Sequence, residues 1–174
     1  MNSKPNKNEV VAMPPDLANL TIAELLKLHV DVNEELRSRG VLRTANNPTG
    51  DLAEFLFCKT FGWHQESNSA KSFDATDAEG RRFQIKARRV HWRNKSRQLS
   101  AIRDLDGFDF LAAMLFDERY RISKSALIPA GVIQEKATFI AHTNSHKFIL
   151  SDAVWTFSGV VDVTDQLRRT EASI

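Results

Sequence analysis

Four polar side chains, Glu54, Asp74, Gln84 and Lys86, have types and spacing suited to hydrolytic chemistry. Apolar and polar residues alternate over 81–90, which predicts a strand with Gln84 and Lys86 on one polar face. Carboxylate and amide oxygens bind hard cations such as Mg²⁺, and an amine beside them can orient water or offset negative charge. The pattern therefore predicts a site for metal-assisted hydrolysis.

The turn at 77–80 decides whether Asp74 reaches this polar face. A three-residue loop whose final glycine is left-handed would pair Asp77 with Arg81. The same register pairs Asp74 with Gln84, whereas a slip of one residue would move Asp74 to the opposite face. We therefore expect Asp74 and Gln84 to be direct cross-strand partners.

Glu54 lies in a predicted helix that starts after Asn47-Pro48-Thr49 and continues to Gly62. Because apolar residues surround the axis of this helix, we expect it to be largely buried. An unpaired buried carboxylate is costly, so Glu54 needs a partner or a metal. The alternative is that Asp51 is the N-cap and Glu54 the reciprocal residue of a capping box. The sequence leaves both interpretations open.

These residues resemble the active site of the PD-(D/E)xK nucleases, the restriction-endonuclease-like superfamily. That superfamily has an acid on one strand, acid-x-Lys on the next and often a glutamate on the preceding helix. Here Phe73-Asp74 stands in place of Pro-Asp, and Gln84-Ile85-Lys86 stands in place of (D/E)xK. The QxK version is similar to the Mrr-like restriction nucleases. Residues of about 30–165 also resemble an uncharacterised family of small bacterial proteins with NNPxGDxAE, QxKAR and RQLSAIRDL motifs.

The resemblance implies a metal-dependent endonuclease that hydrolyses DNA in restriction, defence or repair. Its catalytic residues would be Asp74, Gln84, Lys86 and Glu54. Mg²⁺, with Mn²⁺ as an alternative, would be bound by Asp74, by Glu54 directly or through water, and by the Gln84 side-chain carbonyl. Lys86 would orient or deprotonate the attacking water. Because Gln84 is neutral where most members carry a carboxylate, a weak or inactive nucleic-acid-binding module is the second interpretation. A protein-interaction subunit is the third.

Positive charge is concentrated in one segment of a chain whose formal net charge is only +2. Residues 81–103 contain nine Lys or Arg and no acid, which favours contact with nucleic acid, DNA before RNA. A solvated basic surface is the alternative. Trp92 could stack on an unpaired base or pack on the sheet edge. The predicted nucleic-acid contacts are Arg82, Arg88, Arg89, Trp92, Arg93, Lys95 and Arg97.

The order of elements predicts an α/β fold. A helix follows residue 49, three strands lie between 63 and 90, a helix lies at 98–106, and the apolar run 108–116 is typical of a central strand. This is the order of the restriction-endonuclease-like αβββαβ core, with a mixed central sheet flanked by helices. The remaining predicted elements are a strand near 120–128, a helix near 130–137, a strand near 147–150 and a helix near 162–169.

Three regions are expected: a flexible tail at 1–15, an N-terminal helical extension at 16–40 and the PD-(D/E)xK-like α/β domain at 41–174. The extension could supply the face of a homodimer or pack on its own domain. No apolar run approaches the roughly 18 residues of a membrane span, and the N-terminal residues lack a secretion signal. We therefore expect a cytoplasmic protein with no membrane partner. The single cysteine excludes an internal disulfide.

Overall fold

The computed structural model describes residues 16–67 and 72–174, and it divides into a unit that ends at Arg39 and a unit that begins at Gly40. The predicted tail at 1–15 lies outside the described residues, as does the start of the strand predicted near Lys71. The helices are α1 (Ile22–Ser38), α2 (Thr49–Phe61), α3 (Ala130–Lys136) and α4 (Thr164–Glu171). The strands are β1 (His64–Gln65), β2 (Ala75–Thr76), β3 (Arg82–Arg89), β4 (Phe110–Phe116), β5 (Ile122–Pro129), β6 (Thr138–Ile140), β7 (Ser145–Lys147) and β8 (Val161–Asp162).

The first unit contains α1, and residues next to the start of this helix determine where it begins. The side chain of Thr21 accepts from the backbone N–H of Glu24, while the Glu24 carboxylate accepts from the backbone N–H of Thr21 at 2.8 Å. This reciprocal pair satisfies two N–H groups that a helix start otherwise leaves unbonded. Gly40, with a φ of 72°, follows the helix in the left-handed conformation that ends it. The predicted capping box and glycine stop are therefore confirmed.

The second unit contains a mixed six-stranded sheet in the order β1-β2-β3-β4-β5-β8, with β6 and β7 forming a separate hairpin. Strands β3 and β4 are parallel, and the other neighbours in the sheet are antiparallel. Helices flank the sheet, so the α/β class with a mixed central sheet is confirmed. Among the helices of residues 16–67 and 72–174, none combines the length and apolar character needed to cross a membrane.

Strand β4 is buried on both faces, as its apolar run predicts. Leu111 and Leu115 point into one apolar cluster, and Met114 and Phe116 point into another. The second cluster includes Phe57 of α2. Because side chains alternate along a strand, β4 supplies the core on both sides of the sheet. Helix α2 is thereby fixed against β3 and β4.

A stack of aromatic rings joins α2 to the sheet. The Trp63 ring lies 3.7 Å, centroid to centroid, from Phe83 of β3 and 5.7 Å from Phe57 of α2. Phe83 in turn stacks on Phe110 of β4 at 5.7 Å. Such contacts add to the stabilisation that comes from burying the rings. The stack therefore holds the helix that carries Glu54 against the strand that carries Gln84 and Lys86.

The helix predicted at 98–106 is wrong. The Leu99 N–H donates to the Phe148 carbonyl at 3.0 Å, and the Ile102 N–H donates to the His146 carbonyl at 3.1 Å. Leu99 and Ile102 are both buried, and their three-residue spacing resembles a helical stripe. The backbone instead pairs with residues 146–150, and the predicted strand near 147–150 is shorter and ends at Lys147. The fifth element of the αβββαβ order is thus an irregular crossover.

Removing one ring from the stack tests its contribution to stability. Phe83 is 3% exposed, so Phe83→Ala should lower the free energy of unfolding by about 3–5 kcal/mol. Urea denaturation followed by far-UV circular dichroism measures this change. Phe139→Ala is the matched control, because Phe139 is 54% exposed and should cost less than about 1 kcal/mol. Equal losses in the two variants would contradict the role of the stack.

Candidate functional site

The β2–β3 hairpin places Asp74 opposite Gln84. The Asp77 N–H donates to the Arg81 carbonyl at 3.2 Å, and Gly80, with a φ of 77°, closes the loop. The two strands pair in the register that this turn predicts, with Thr76 opposite Arg82. A left-handed residue is needed at position 80, and glycine adopts that conformation without steric cost. The predicted register is confirmed for Ala75 with Phe83 and Thr76 with Arg82, while Asp74 lies in the bend just before β2 and reaches Gln84 through its side chain.

The carboxylate of Asp74 is held by the neighbouring strand through one of its two oxygens. Asp74 Oδ2 accepts from the backbone N–H of Ile85 at 2.6 Å and from Gln84 Nε2 at 3.1 Å. Hydrogen bonds to an ionised carboxylate are short and strong, so they fix its orientation. Asp74 Oδ1 makes no hydrogen bond with the described residues. One oxygen is therefore structural, and the other is available to a ligand.

Glu54 lies close enough to Asp74 for their charges to interact. Burial raises the pKa of the Glu54 carboxyl above its ordinary value of 4.5, and the charge of Asp74 raises this pKa further. Glu54 Oε2 accepts from Gln65 Nε2 at 2.9 Å and lies 3.6 Å from Arg43 Nη1. These contacts offset only part of the cost of holding a buried negative charge on Glu54 near Asp74. A bound cation would relieve this repulsion between the two carboxylates.

The capping-box alternative for Asp51 and Glu54 is wrong. Helix α2 begins at Thr49, three residues earlier than that alternative requires, and the Thr49 N–H donates to Asn47 Oδ1. Asp51 is only 6% exposed, and its Oδ2 accepts the backbone N–H groups of Arg43 and Thr44, both at 2.8 Å. Asp51 therefore anchors the preceding loop rather than the helix start. Sequence reasoning missed this role because the eight-residue separation from Arg43 gives no local signal.

Lys86 lies on the same face of β3 as Gln84, because residues two apart on a strand point to the same side. Its side chain is half-buried, and it makes no hydrogen bond or ion pair with residues 16–67 or 72–174. The structure thus joins Asp74 and Gln84 by a hydrogen bond and brings Glu54 within electrostatic reach. It places Lys86 beside them along the strand, without a bond to either carboxylate.

The chemistry of these groups fits a hard cation that keeps part of its hydration shell. Within the described residues, no cluster of three or more His, Cys, Asp or Glu side chains could hold a metal ion. Two carboxylates and the Gln84 amide oxygen are nevertheless the kind of set with which Mg²⁺ binds when waters and a substrate phosphate complete its ligands. Cys58 is not a candidate ligand, because burial and the charge of Glu54 raise the pKa of its thiol to about 12.

Ion pairs occupy two of the arginines that the sequence assigns to nucleic-acid contact. Arg82 Nη2 lies 3.0 Å from Asp109 Oδ1, and the Arg82 backbone N–H donates to Asp109 Oδ2 at 2.8 Å. Arg97 Nη1 lies 2.9 Å from Asp152 Oδ1. Each positive charge is therefore offset by a carboxylate of the same unit. These two residues are structural partners more than surface charges.

Arg81 is likewise paired with Asp77 and Glu79, and the remaining cations of the basic segment lack carboxylate partners in the described part of the chain. Trp92 is 71% exposed, so the alternative that it packs on the sheet edge is wrong, and the Arg93 guanidinium lies 4.5 Å from the centre of its ring. The Arg89 guanidinium lies 4.7 Å from the Tyr120 ring, and Arg89 Nε donates to the Glu118 carbonyl at 3.2 Å. The cations without an ion pair are Lys86, Arg88, Arg89, Arg93, Lys95 and Arg103. We call this set the basic face.

No protein-family model matches the chain, and a search among curated proteins returns no significant match. A function for this protein must therefore be inferred from the geometry and charge of the site.

Neutralising Glu54 and neutralising Asp51, two acids on one turn of α2, should change the melting temperature in opposite directions. The folded-state pKa of Glu54 is raised, so its ionisation weakens folding as the pH rises above 4.5. Glu54→Gln should therefore raise the melting temperature at pH 7 relative to the wild type, and this gain should vanish near pH 4. Asp51→Asn should lower the melting temperature at pH 7, since it replaces the charged acceptor of two backbone N–H groups by a neutral one, a loss of about 1–2 kcal/mol.

Differential scanning calorimetry from pH 4 to pH 8 measures both effects. A lower melting temperature for Glu54→Gln at pH 7 would contradict the repulsion between Glu54 and Asp74.

Proposed function

We propose that the protein is a metal-dependent nuclease that hydrolyses phosphodiester bonds of DNA, with a core of the restriction-endonuclease-like type. One observation carries the proposal. The Asp74 carboxylate is oriented by the Ile85 N–H, its charge acts on Glu54, and the next strand carries the amine of Lys86, which is unpaired among the described residues. An oriented acid, a second acid and an uncommitted amine are the groups that metal-assisted hydrolysis uses.

The arrangement of elements supports the same proposal. Helix α2 packs on β3. Strands β2 and β3 form the hairpin that Asp74 immediately precedes, and β4 lies parallel to β3. This is the order helix, three strands, strand that the superfamily resemblance implies, with an irregular crossover where the helix is expected. Glu54 lies on α2, Gln84 and Lys86 lie on β3, and Asp74 lies in the bend just before β2.

In the proposed reaction, Mg²⁺ or Mn²⁺ would be held by Asp74 Oδ1, Glu54 and Gln84 Oε1. The ion would offset negative charge on the phosphate and make water more acidic. Asp74 keeps its position because its other oxygen is bonded to β3. Lys86 would donate hydrogen bonds to the attacking water or the phosphate oxygens, and its positive charge would offset the charge that develops there.

The basic face would hold the DNA backbone. Its cations follow Lys86 along β3, through the turn at 91–94 and as far as Arg103; the N–H of Asn94 closes this turn by donating to the His91 carbonyl at 2.8 Å. Contacts between such cations and phosphates are insensitive to sequence and weaken with salt. The exposed Trp92 would stack on a base that is not paired.

A second candidate, a nucleic-acid-binding module that does not cut, is favoured by one contact. Gln84 Nε2 donates to the Asp74 carboxylate, whereas a carboxylate at position 84 would repel it. This bond stabilises the pair without a cation and so weakens the need for one. A protein-interaction subunit remains a prediction of the sequence that no contact in the described residues favours.

The decisive assay is cleavage of supercoiled plasmid in Mg²⁺, Mn²⁺ or EDTA. The wild type should nick or linearise the plasmid only with metal, while Asp74→Asn and Lys86→Ala should lose at least about a hundredfold of the rate. Lys147→Ala is the matched control, because it removes a lysine from β7, outside the site, and should keep full activity. Metal-independent cutting, or full activity in either site variant, would refute the assignment.

Absence of cutting with retained DNA binding would favour the non-cutting module. Replacing Gln84 by Glu in that protein should then strengthen binding of Mg²⁺, measured by calorimetric titration, because it restores a third carboxylate.

The ion pairs predict which cations of the basic segment contribute to DNA binding. Arg93→Ala and Lys95→Ala should each weaken DNA binding and reduce the slope of log affinity against log salt by about 1. Arg97→Ala should change this slope little, because Arg97 is already paired with Asp152. Fluorescence anisotropy with a labelled duplex from 50 to 200 mM salt, roughly the range over which such contacts weaken, measures the slope. Equal slopes for all four proteins would contradict the basic face.

A further inference from the structure

A cavity of about 300 Å³ opens between the start of α2 and the end of β3. No acid is among the described residues that line it. The polar residues of its lining are Asn47, Thr49, Arg88, Arg89, His91 and Asn94. Two guanidinium groups, two amides, a hydroxyl and an imidazole can all donate hydrogen bonds. The start of α2 adds partial positive charge on the same side. The lining is therefore suited to an anion.

Arg88 is the residue that most clearly lacks a partner. Its Nε is enclosed by protein, yet it donates no hydrogen bond within the described residues, and its guanidinium has no ion pair there. A buried donor without an acceptor costs about 1–3 kcal/mol, and such groups in native proteins call for an explanation. Nε itself is closed to a ligand, but Arg88 lines the cavity, so an anion bound there would offset the guanidinium charge, for which the described residues supply no carboxylate.

Arg89 is fixed in position without being neutralised. Its contacts with the Glu118 carbonyl and the Tyr120 ring orient the guanidinium but bring no carboxylate. Tyr120 itself has a φ of 62°, a left-handed conformation that is strained for an aromatic residue. Its hydroxyl lies 3.5 Å from Asn47 Oδ1 and 3.5 Å from Thr49 Oγ1, so it joins the helix-side wall to Arg89. The left-handed Tyr120 therefore contacts three of the residues that line the cavity.

The cavity is next to the proposed reaction centre. Arg88 follows Lys86 by two residues on β3, which is about 6.6 Å along a strand. That distance is comparable to one nucleotide step of a nucleic-acid strand. The two residues also share one face of the strand.

We propose that this cavity binds a phosphate group, namely the phosphate next to the phosphodiester at the Asp74 site. The choice of a nucleic-acid phosphate rests on the proposed function. Arg88 and Arg89 bind its oxygens, and the amides of Asn47 and Asn94 complete the set of donors. Guanidinium groups recognise phosphate through paired hydrogen bonds, so lysine cannot fully replace Arg88.

The test follows the side-chain Nε–H signals of arginine by NMR while inorganic phosphate is added to the ¹⁵N-labelled protein. The Arg88 and Arg89 signals should shift and saturate, and Arg88→Gln should weaken phosphate binding by between about 10 and 100-fold. Arg88→Lys, which keeps the charge, should restore part of the affinity. Arg169→Gln is the control, since Arg169 is an exposed arginine of α4 outside the cavity, and it should change nothing. Equal shifts with chloride, or equal loss in the control, would overturn the proposal.

Two further additions identify the source of the phosphate. In EDTA, a short duplex with 5′-hydroxyl ends should shift the Arg88 signal and compete with inorganic phosphate. If only a mononucleotide such as thymidine monophosphate competes, the site holds a free nucleotide and the backbone assignment is wrong.

The Asp74→Asn variant separates this proposal from the nuclease proposal. It should bind phosphate as the wild type does, because Asp74 does not line the cavity. Phosphate binding in a protein that never cuts DNA would refute the nuclease and leave the cavity assignment standing. Cutting that is unaffected by Arg88→Gln, in a protein that binds no phosphate, would refute the cavity assignment and leave the nuclease proposal standing.

Discussion

The hydrogen bond from the Ile85 N–H to the Asp74 carboxylate is the contact on which the proposed site depends. It joins the Asp74 side chain, in the bend before β2, to the backbone of β3, so it depends on the register that the turn at 77–80 sets. With this register, Gln84 meets Asp74 and Lys86 shares their face of the sheet. A slip of one residue would reverse every side chain of β3 and separate the group. The short turn is thus a determinant of chemistry as well as of folding.

Packing of α2 brings the second acid to this point at an electrostatic cost. The ring stack of Phe57, Trp63 and Phe83 holds the helix on β3, and Glu54 is thereby buried near Asp74. Apolar burial of this kind stabilises by several kcal/mol, about 3–5 for a large ring, and so it can sustain a local repulsion between carboxylates. Sites of function commonly carry such unfavourable local terms. The unpartnered Nε of Arg88 and the left-handed Tyr120 beside the proposed phosphate cavity are sustained in the same way.

The sequence predicts what is encoded by neighbours along the chain. Alternation located β3, the apolar run located β4, and the turn residues determined the pairing of Asp74 with Gln84. Contacts between distant residues could not be predicted in the same way. The segment 98–106 has a helical spacing of apolar residues but bonds to residues 146–150. Likewise, only the fold reveals that Asp109 and Asp152 pair with Arg82 and Arg97, which divides the basic segment into structural and free charges. These contacts were missed for one reason: pairing between residues distant in the chain leaves no periodic signal in the sequence.

The central claim is that Glu54 and Asp74 form one negatively charged site that a divalent cation stabilises. The most direct measurement is the pKa of the Glu54 carboxyl, followed by ¹³C NMR in the wild type and in Asp74→Asn, with and without Mg²⁺. We expect a pKa above 4.5 in the wild type, a lower value in Asp74→Asn, and a fall in the wild type when Mg²⁺ is added. A Glu54 pKa that is the same in both proteins and indifferent to Mg²⁺ would contradict the claim.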